Sequence, residues 1–429
     1  MDNIANSEVA PRVALETLGC KLNQAETETL ALRLSEAGLR LVGPEQAADV
    51  CVLNTCTVTH VADRKSRQMV RRARRSNPEA LIVVTGCYAQ QAFGKPDGID
   101  GADVVVANED KGRLPELVLQ RCGQLMGAVK VDSCPGPPEA GHLRTRALVK
   151  IQDGCNQSCS YCIVPSVRGQ ERSLPPEQVT AEIVDRLERG YKEVTLTGTQ
   201  IGSYEGGAGR GLAWLIEHIL EQTRVGRLRL SSLQPQDVSS DLLRVWQDER
   251  LCRHLHLPLQ SGSAGVLRRM RRRYTPVRYE EAVSALRRAA HGIAITADMI
   301  VGFPGETRQE FEESLAFCRR MEFAAMHIFP YSPRPGTAAA GMGGRVSEPE
   351  KRERVRRMLE LARHAALSFR ERTLGQIRPV LFEERSDEHW TGLTDHYVRV
   401  FAASEQSLGN RIVPVTLAAN SANGILGVV

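Results

Sequence analysis

Residues 151–169 read IQDGCNQSCSYCIVPSVRG, and the three cysteines in that stretch, Cys155, Cys159 and Cys162, govern the reading of the whole chain. Three thiolates are one short of the four that fully ligate a cubane iron–sulfur cluster, so one iron would stay open to a substrate or cofactor. Zinc is the competing occupant, but it prefers four protein ligands in paired CxxC or His arrangements, which are absent here. The strand-like run ALVKIQDG leads into the triplet. After it come EVTLTGTQ, LRLSSLQP, HLHLPLQS, AITADMIVGFP and FAAMHIFPYS, separated by helical stretches. Six βα units make a partial (βα)6 barrel, since closure takes eight.

Upstream, the runs VALETLGC, DVCVLNTC, LIVVTGC and DVVVANED have the unbroken apolar character of buried parallel strands, with crossover helices between them. They predict a doubly wound α/β domain. Cys20, Cys56 and Cys87 each stand at the carboxyl end of one of these strands, the edge at which open α/β sheets bind ligands. The Pro/Gly-rich SCPGPPEAG predicts a linker. The helix through KRERVRRMLELARHAALSFRERT is opened by Ser347 with Glu350 three residues on, a capping-box pattern. Beyond Gly375 the period turns to β-type in RPVLFEE, WTGLTDHYVRVFA and RIVPVTLAA, enough for a small antiparallel β-barrel. The expected domains are therefore 11–125, a linker over 126–142, the barrel with its bracing helix over 143–374, and a β domain over 375–429.

A chain of 429 residues is too long for one core, and its net charge of +5 permits an acidic partner without requiring one. The N-terminal MDNIANSEVAPRV has no apolar stretch fit for a signal peptide, and nowhere do about eighteen apolar residues run together. The expectation is a cytoplasmic protein with no membrane association, whose 11 cysteines are ligands or buried thiols rather than disulfides. Cys51, Cys122, Cys134, Cys252 and Cys318 have no ligand context.

The triplet and its surroundings resemble the radical S-adenosylmethionine superfamily at every ligand position. TLGCKLNQAETE (17–28), NTCTVTHVADRKSRQ (54–68) and TGCYAQ (85–90) resemble the N-terminal domain of its methylthiotransferases, and the tail resembles their TRAM domain. The resemblance implies that Cys155, Cys159 and Cys162 hold a [4Fe-4S] cluster whose open iron is chelated by S-adenosylmethionine, reduced there to methionine and a 5′-deoxyadenosyl radical. It implies a second [4Fe-4S] cluster on Cys20, Cys56 and Cys87 that carries sulfur. The strand ends LTGTQIGSY, HLPLQSGS and TADMIVGFPGET would line the cofactor pocket, with Tyr161, Gly198, Gln260, Ser261, Asp298 and Gly302 as binding residues and Glu306 nearby.

The run Arg64–Arg75 carries seven basic residues with no acid interleaved, so a phosphate-binding face is expected, with Arg64, Arg67, Arg71 and Arg72 as contacts. RRMRRRY (268–274) is a second basic cluster, expected to meet cofactor carboxylate or RNA. In the tail, Tyr397 and Phe401 are an even number of residues apart and are expected in the barrel core, leaving Trp390 to stack on RNA. TLGCKLNQAETE and FEERSDEHWTGLTDHYVRV resemble the branch that methylthiolates carbon 2 of N6-threonylcarbamoyladenosine at position 37, beside the tRNA anticodon. That implies a tRNA anticodon stem-loop as partner, with separate electron and sulfur donors. The alternatives are another tRNA adenosine, a ribosomal-protein aspartate, or a non-enzymatic RNA-binding iron–sulfur sensor.

Overall fold

The computed structural model describes residues 10–95, 98–126, 145–386 and 388–429; the expected linker and Cys134 lie outside them. The chain divides into two compact units. Of the described residues, the first takes those up to 126 together with Ile163–Gly169, and the second takes 145–162 and those from Gln170 onward.

In the first unit, β1 (Arg12–Thr17), β2 (Arg40–Val42), β3 (Val50–Thr55), β4 (Leu81–Gly86) and β5 (Val104–Val105) form one parallel sheet in the order β2-β1-β3-β4-β5. Four of these strands were expected; β2 was not, because three residues at a sheet edge are too few to show a pattern. Helices α1 (Lys21–Glu36), α2 (His60–Ser76), α3 (Cys87–Ala92) and α4 (Leu114–Met126) make the crossovers. Alternate strand residues feed opposite cores. Val50, Val52 and Val83 pack with Leu30, Leu34 and Val118 on one face, while Cys51, Leu53, Ile82 and Val84 meet Met69, Val70 and Ala73 on the other. The doubly wound arrangement follows from strands apolar on both faces. Helix α5 (Val164–Arg168) also belongs to this unit, where Val167 and Ile163 pack against Cys87.

In the second unit, β6 (Arg146–Lys150) leads into the short β7 (Gln152–Asp153), which pairs with β8 (Arg172–Ser173) around the triplet. The remaining barrel strands are β9 (Glu193–Thr197), β10 (Leu228–Leu230), β11 (His254–His256), β12 (Ala294–Val301) and β13 (Ala325–Pro330). The six strands run parallel in two triples, β6-β9-β10 and β11-β12-β13, joined by a bridge between Ser232 and His256. The helices are α6 (Pro176–Glu188), α7 (Leu212–Gln222), α8 (Ser240–Arg244), α9 (Ala264–Arg269), α10 (Pro276–Ala289), α11 (Arg308–Met321) and α12 (Glu348–Glu371). Ser347 caps α12 by accepting the Glu350 N–H, and Arg354 of α12 meets the buried Glu306 at 2.6 Å.

The tail closes into a five-stranded barrel of β14 (Ile377–Ser386), β15 (His389–Thr394), β16 (Arg399–Ala403), β18 (Gly424–Val428) and β17 (Ile412–Ser421), in that spatial order. It is not wholly antiparallel: β16 and β18 run parallel. The expected core also needs correction. Val400 and Ala402 face inward with Val380, Phe382 and Val415, so Phe401 lies on the other face, and Trp390 packs partly against this core. Tyr397 stands in a turn with φ 65°, its ring 4.9 Å from that of His254. The even spacing misled because Tyr397 closes the turn through Asp395 and His396, its N–H donating to the Thr394 carbonyl, and so lies outside β16, whereas only a continuous strand keeps alternate side chains on one face.

The β-barrel docks on the partial barrel through buried charge. Glu193 is wholly buried between Arg227 (2.8 Å) and Arg229 (2.6 Å), and Arg229 donates onward to the Asp395 carbonyl at 2.9 Å. Burial alone would raise the Glu193 carboxyl, but Arg229 and Arg227 outweigh it and hold it at about 2. The folded value lies below the ordinary 4.5, so this carboxylate's stabilisation is complete above about pH 4.5 and is lost as pH falls toward 2. Glu193→Gln strands two buried guanidinium groups and is expected to cost about 3 kcal/mol or more at neutral pH. Thermal melting should show a lower midpoint for the variant, and the gap from wild type should narrow below pH 4.5.

Candidate functional site

In the first unit, Cys20, Cys56 and Cys87 follow β1, β3 and β4, the adjacent middle strands of the sheet. Two of them are set by a glycine. Gly19 (φ +126°) turns the chain so that Cys20 caps α1, and a Cβ at Gly19 would sit 3.0 Å from the Cys56 Cβ. Gly86 (φ +96°, ψ −170°) precedes Cys87, and a Cβ there would come within 2.6 Å of the Thr55 amide nitrogen. That combination of angles is almost confined to glycine. Cys56 is held by Ser66 of α2, whose hydroxyl accepts the Cys56 N–H at 3.2 Å and donates to its carbonyl at 2.8 Å.

Polar staples hold the strand ends together. The buried Asn23 side chain donates to the Leu18 carbonyl (2.8 Å) and the Thr55 carbonyl (3.0 Å), just ahead of Cys20 and Cys56. The Thr55 hydroxyl donates to the Thr85 carbonyl at 2.5 Å, which brings in the strand of Cys87. Cys20 is exposed, whereas Cys56 and Cys87 are buried. Burial pushes the Cys56 thiol up to about 11, and the neighbouring Cys87 and Cys20 push the same way; burial likewise raises Cys87.

In the second unit, the triplet loop is fastened from several sides. The Gln152 side chain donates to the Asp153 and Gly154 carbonyls (3.0 and 2.9 Å) and accepts the Gln200 N–H at 2.7 Å. Ser160 donates through its N–H to the Met270 carbonyl (3.0 Å) and through its hydroxyl to the Arg269 carbonyl (2.8 Å). The Arg272 guanidinium donates to the Cys159 sulfur at 3.4 Å and lies over the Tyr274 ring. Burial raises the Cys155 thiol.

Among the described residues, no three His, Cys, Asp or Glu side chains converge as a site for a single metal ion. Thiolates on one zinc stand about 3.8 Å apart, given zinc–sulfur bonds near 2.3 Å, whereas a cubane spreads its thiolates over separate corners. All-sulfur donors in both sets of three, and the Arg272 guanidinium at the Cys159 sulfur, suit an anionic cluster.

The expected pocket residues separate into two groups. Asp298 and Gln260 are partly accessible: Asp298 is 3.2 Å from His256 Nε2, and Gln260 takes the left-handed φ of 66° while bridging to Met299. Tyr161 is partly buried, edge-on to Phe303. Ser261, in contrast, is fully buried against Ser314 of α11. The Gly302 N–H donates to Glu306 at 2.7 Å, and a Cβ on Gly302 would press on Lys351 of α12. Gly198 accommodates the Gln152 carbonyl oxygen, 2.7 Å from where its Cβ would be.

The basic helix is less free than its sequence suggests. Arg71 meets Asp100 (3.3 Å), Arg72 meets Glu16 (2.5 Å) and Arg74 meets Asp103 (2.5 Å), all acids from outside the helix. Arg64, Lys65 and Arg67 are exposed, with no ion-pair partner among the described residues. Sequence reasoning missed Asn23, Ser66 and Arg272 as positioning groups. The signal was present in part, since Asn23 and Ser66 are polar residues at positions where their helices need apolar ones.

A cysteine triplet following the first strand of a six-stranded parallel barrel defines the class, a radical S-adenosylmethionine protein. Residues 149–318 match the family model described as "Radical SAM superfamily", and residues 12–106 match "Uncharacterized protein family UPF0004". The chain is 38% identical to the threonylcarbamoyladenosine tRNA methylthiotransferase MtaB of Bacillus subtilis, over 94% of this chain and 93% of that one. It is 35% identical to the Aquifex aeolicus protein of the same name, over 94% and 99%. It is also 35% identical to the tRNA-2-methylthio-N(6)-dimethylallyladenosine synthase of Moorella thermoacetica, over 94% of each. Among solved structures, the radical S-adenosylmethionine methyltransferase TsrM of Kitasatospora setae superposes with a TM-score of 0.55 over 77% of each chain at 14% identity, a likeness of fold alone. The chain belongs to the radical S-adenosylmethionine methylthiotransferase family, in its MtaB-type branch. It is a transferase, and membership implies S-adenosylmethionine and a [4Fe-4S] cluster.

Gly86→Ala places a methyl group against the Thr55 backbone and demands a backbone conformation costing about 1–3 kcal/mol for alanine. A lower thermal midpoint together with weaker iron retention is expected. Iron analysis and melting on the same preparation check both.

Proposed function

We propose that this protein transfers a methylthio group to carbon 2 of N6-threonylcarbamoyladenosine beside the anticodon of tRNA, at position 37, and works in the cytoplasm. The observation that carries this reading is near full-length likeness to proteins named for that activity, together with two separate sets of three thiols. Cys155, Cys159 and Cys162 would hold the cluster that binds S-adenosylmethionine, and Cys20, Cys56 and Cys87 a second, auxiliary cluster. Bound there, these groups supply a radical source and a sulfur source, chemistry that side chains lack.

The chain's own residues bind, orient and shield. Arg272 directs an N–H at Cys159, the kind of second-shell contact that orients a ligand and tunes its cluster. Gln260, beyond β11, and Asp298, inside the neighbouring β12, would donate and accept hydrogen bonds with the polar head of S-adenosylmethionine. Arg64, Lys65 and Arg67, without an ion-pair partner among the described residues, would offer their charges to phosphates of the anticodon stem-loop, while Arg71 and Arg72 have intramolecular acids to leave first. Arg385 lies over the Trp390 ring at 6.0 Å, offering a base a stacked edge on the β-barrel. Electrons and replacement sulfur would come from separate donors.

Nucleoside mass spectrometry of tRNA from a strain lacking this protein is expected to show loss of 2-methylthio-N6-threonylcarbamoyladenosine and accumulation of the unmethylthiolated nucleoside. An unchanged level would overturn the substrate assignment, and selective loss of the dimethylallyl counterpart would move it to the other tRNA branch.

Anaerobically reconstituted protein should hold about eight irons, and alanine at Cys155, Cys159 and Cys162 should leave about four. Four irons in the unaltered protein would refute the auxiliary cluster.

A further inference from the structure

The segment after the triplet carries a residue with no role so far. Six positions beyond Cys162, Arg168 is buried in the first unit at the end of α5. Its guanidinium donates to both oxygens of Glu26 (2.9 and 3.3 Å) and to the Asn23 side-chain oxygen at 2.6 Å. Lys111, equally buried, reaches the same carboxylate at 2.6 Å and the Asn54 side-chain oxygen at 3.3 Å. Two buried cations thus meet at one buried carboxylate. Asn23 and Asn54 are staples of the cysteine-bearing strand ends, and Val167, next to Arg168, packs on Cys87.

Geometry puts these charges at the cysteine edge of the sheet: Asn23, held by Arg168, bonds the Leu18 and Thr55 carbonyls just ahead of Cys20 and Cys56, while Val167 packs on Cys87. Ion pairs this deep are costly to desolvate and are weak devices for stability alone, so their place beside three thiols calls for another role. Three thiolates outweigh the two positive charges of an oxidised cubane core, and reduction adds a further negative charge. Nearby cations hold such an anion and favour its reduced form.

We propose that Arg168 and Lys111, balanced by Glu26, form a buried charge clamp that retains the auxiliary cluster and sets its reduction potential. They are positioning residues acting on the cluster through space, and the proposal rests on Cys20, Cys56 and Cys87 ligating that cluster. The parent for the test is full-length protein with alanine at Cys155, Cys159 and Cys162, so that only the auxiliary cluster is read. Its potential is measured by titration followed by electron paramagnetic resonance, and its retention by the rate of iron loss to a chelator.

Arg168→Gln and Lys111→Met are expected to shift the potential negative and to speed iron loss about tenfold. Arg168→Lys should stay near the parent, and Glu26→Gln should shift the potential positive. A merely structural role would move all the neutralising variants in the same direction, or move iron loss without the potential; either result overturns the clamp. If Arg168→Gln does not fold, as judged by circular dichroism, Lys111→Met and Glu26→Gln decide by the sign of their shifts. A parent that binds no iron refutes the auxiliary cluster itself and the clamp with it, whereas a parent with four irons and variants of unchanged potential refutes the clamp alone.

Discussion

Everything distinctive about the first unit depends on bringing three thiols, remote in sequence, to one edge of a parallel sheet. Parallel strands put their carboxyl ends on the same side, so the sheet order alone aligns Cys20, Cys56 and Cys87 on neighbouring strands. The strand ends themselves are then fixed by glycine turns at Gly19 and Gly86 and by the side chains of Asn23, Thr55 and Ser66, which replace ladder bonds where the strands end. A buried carbonyl left unpaired there would cost about 1–3 kcal/mol, so these polar residues are as necessary to the fold as the apolar core beneath them.

The second unit solves a related problem with a single loop. Cys155, Cys159 and Cys162 lie close in sequence, and what they need is rigidity rather than convergence. Gln152, Ser160 and Arg272 supply it by tying the loop to neighbouring strand and helix ends. At the tail, the buried pairing of Glu193 with Arg227 and Arg229 fastens the β-barrel to the partial barrel. A buried carboxylate between two guanidinium groups tolerates no loose geometry, since displacement would leave a charge unpaired in a medium that solvates it poorly. The pairing therefore specifies one docked arrangement.

The candidates for the site were legible in the residue order. Ligand candidates were visible because cysteine spacing and strand-end position are local properties. The buried clamp of Arg168, Glu26 and Lys111 was not: Arg168 and Glu26 are 142 positions apart, and each looks like an ordinary surface charge in its own helix. The basic helix misled for the same reason. No acid stands between Arg64 and Arg75, yet Glu16, Asp100 and Asp103 reach three of its arginines from distant segments. Ser261 and Glu306 occupy strand ends that suggested a pocket, but their side chains meet α11 and α12. Strand position tells where a residue is, not which of two neighbours its side chain meets.

By itself, then, the sequence determined the class of fold, the six parallel barrel strands and the cysteine pattern, because apolar periodicity and ligand spacing are written within short stretches. Only the tertiary structure decided which charges pair, which strand-end residues are packing elements, and that Ile163–Gly169 folds with the first unit. It also decided that Trp390, rather than Phe401, leans on the β-barrel core. The physical reason is common to all of these. Burial and Coulomb energy depend on distance through space, and that distance exists only once the chain has folded.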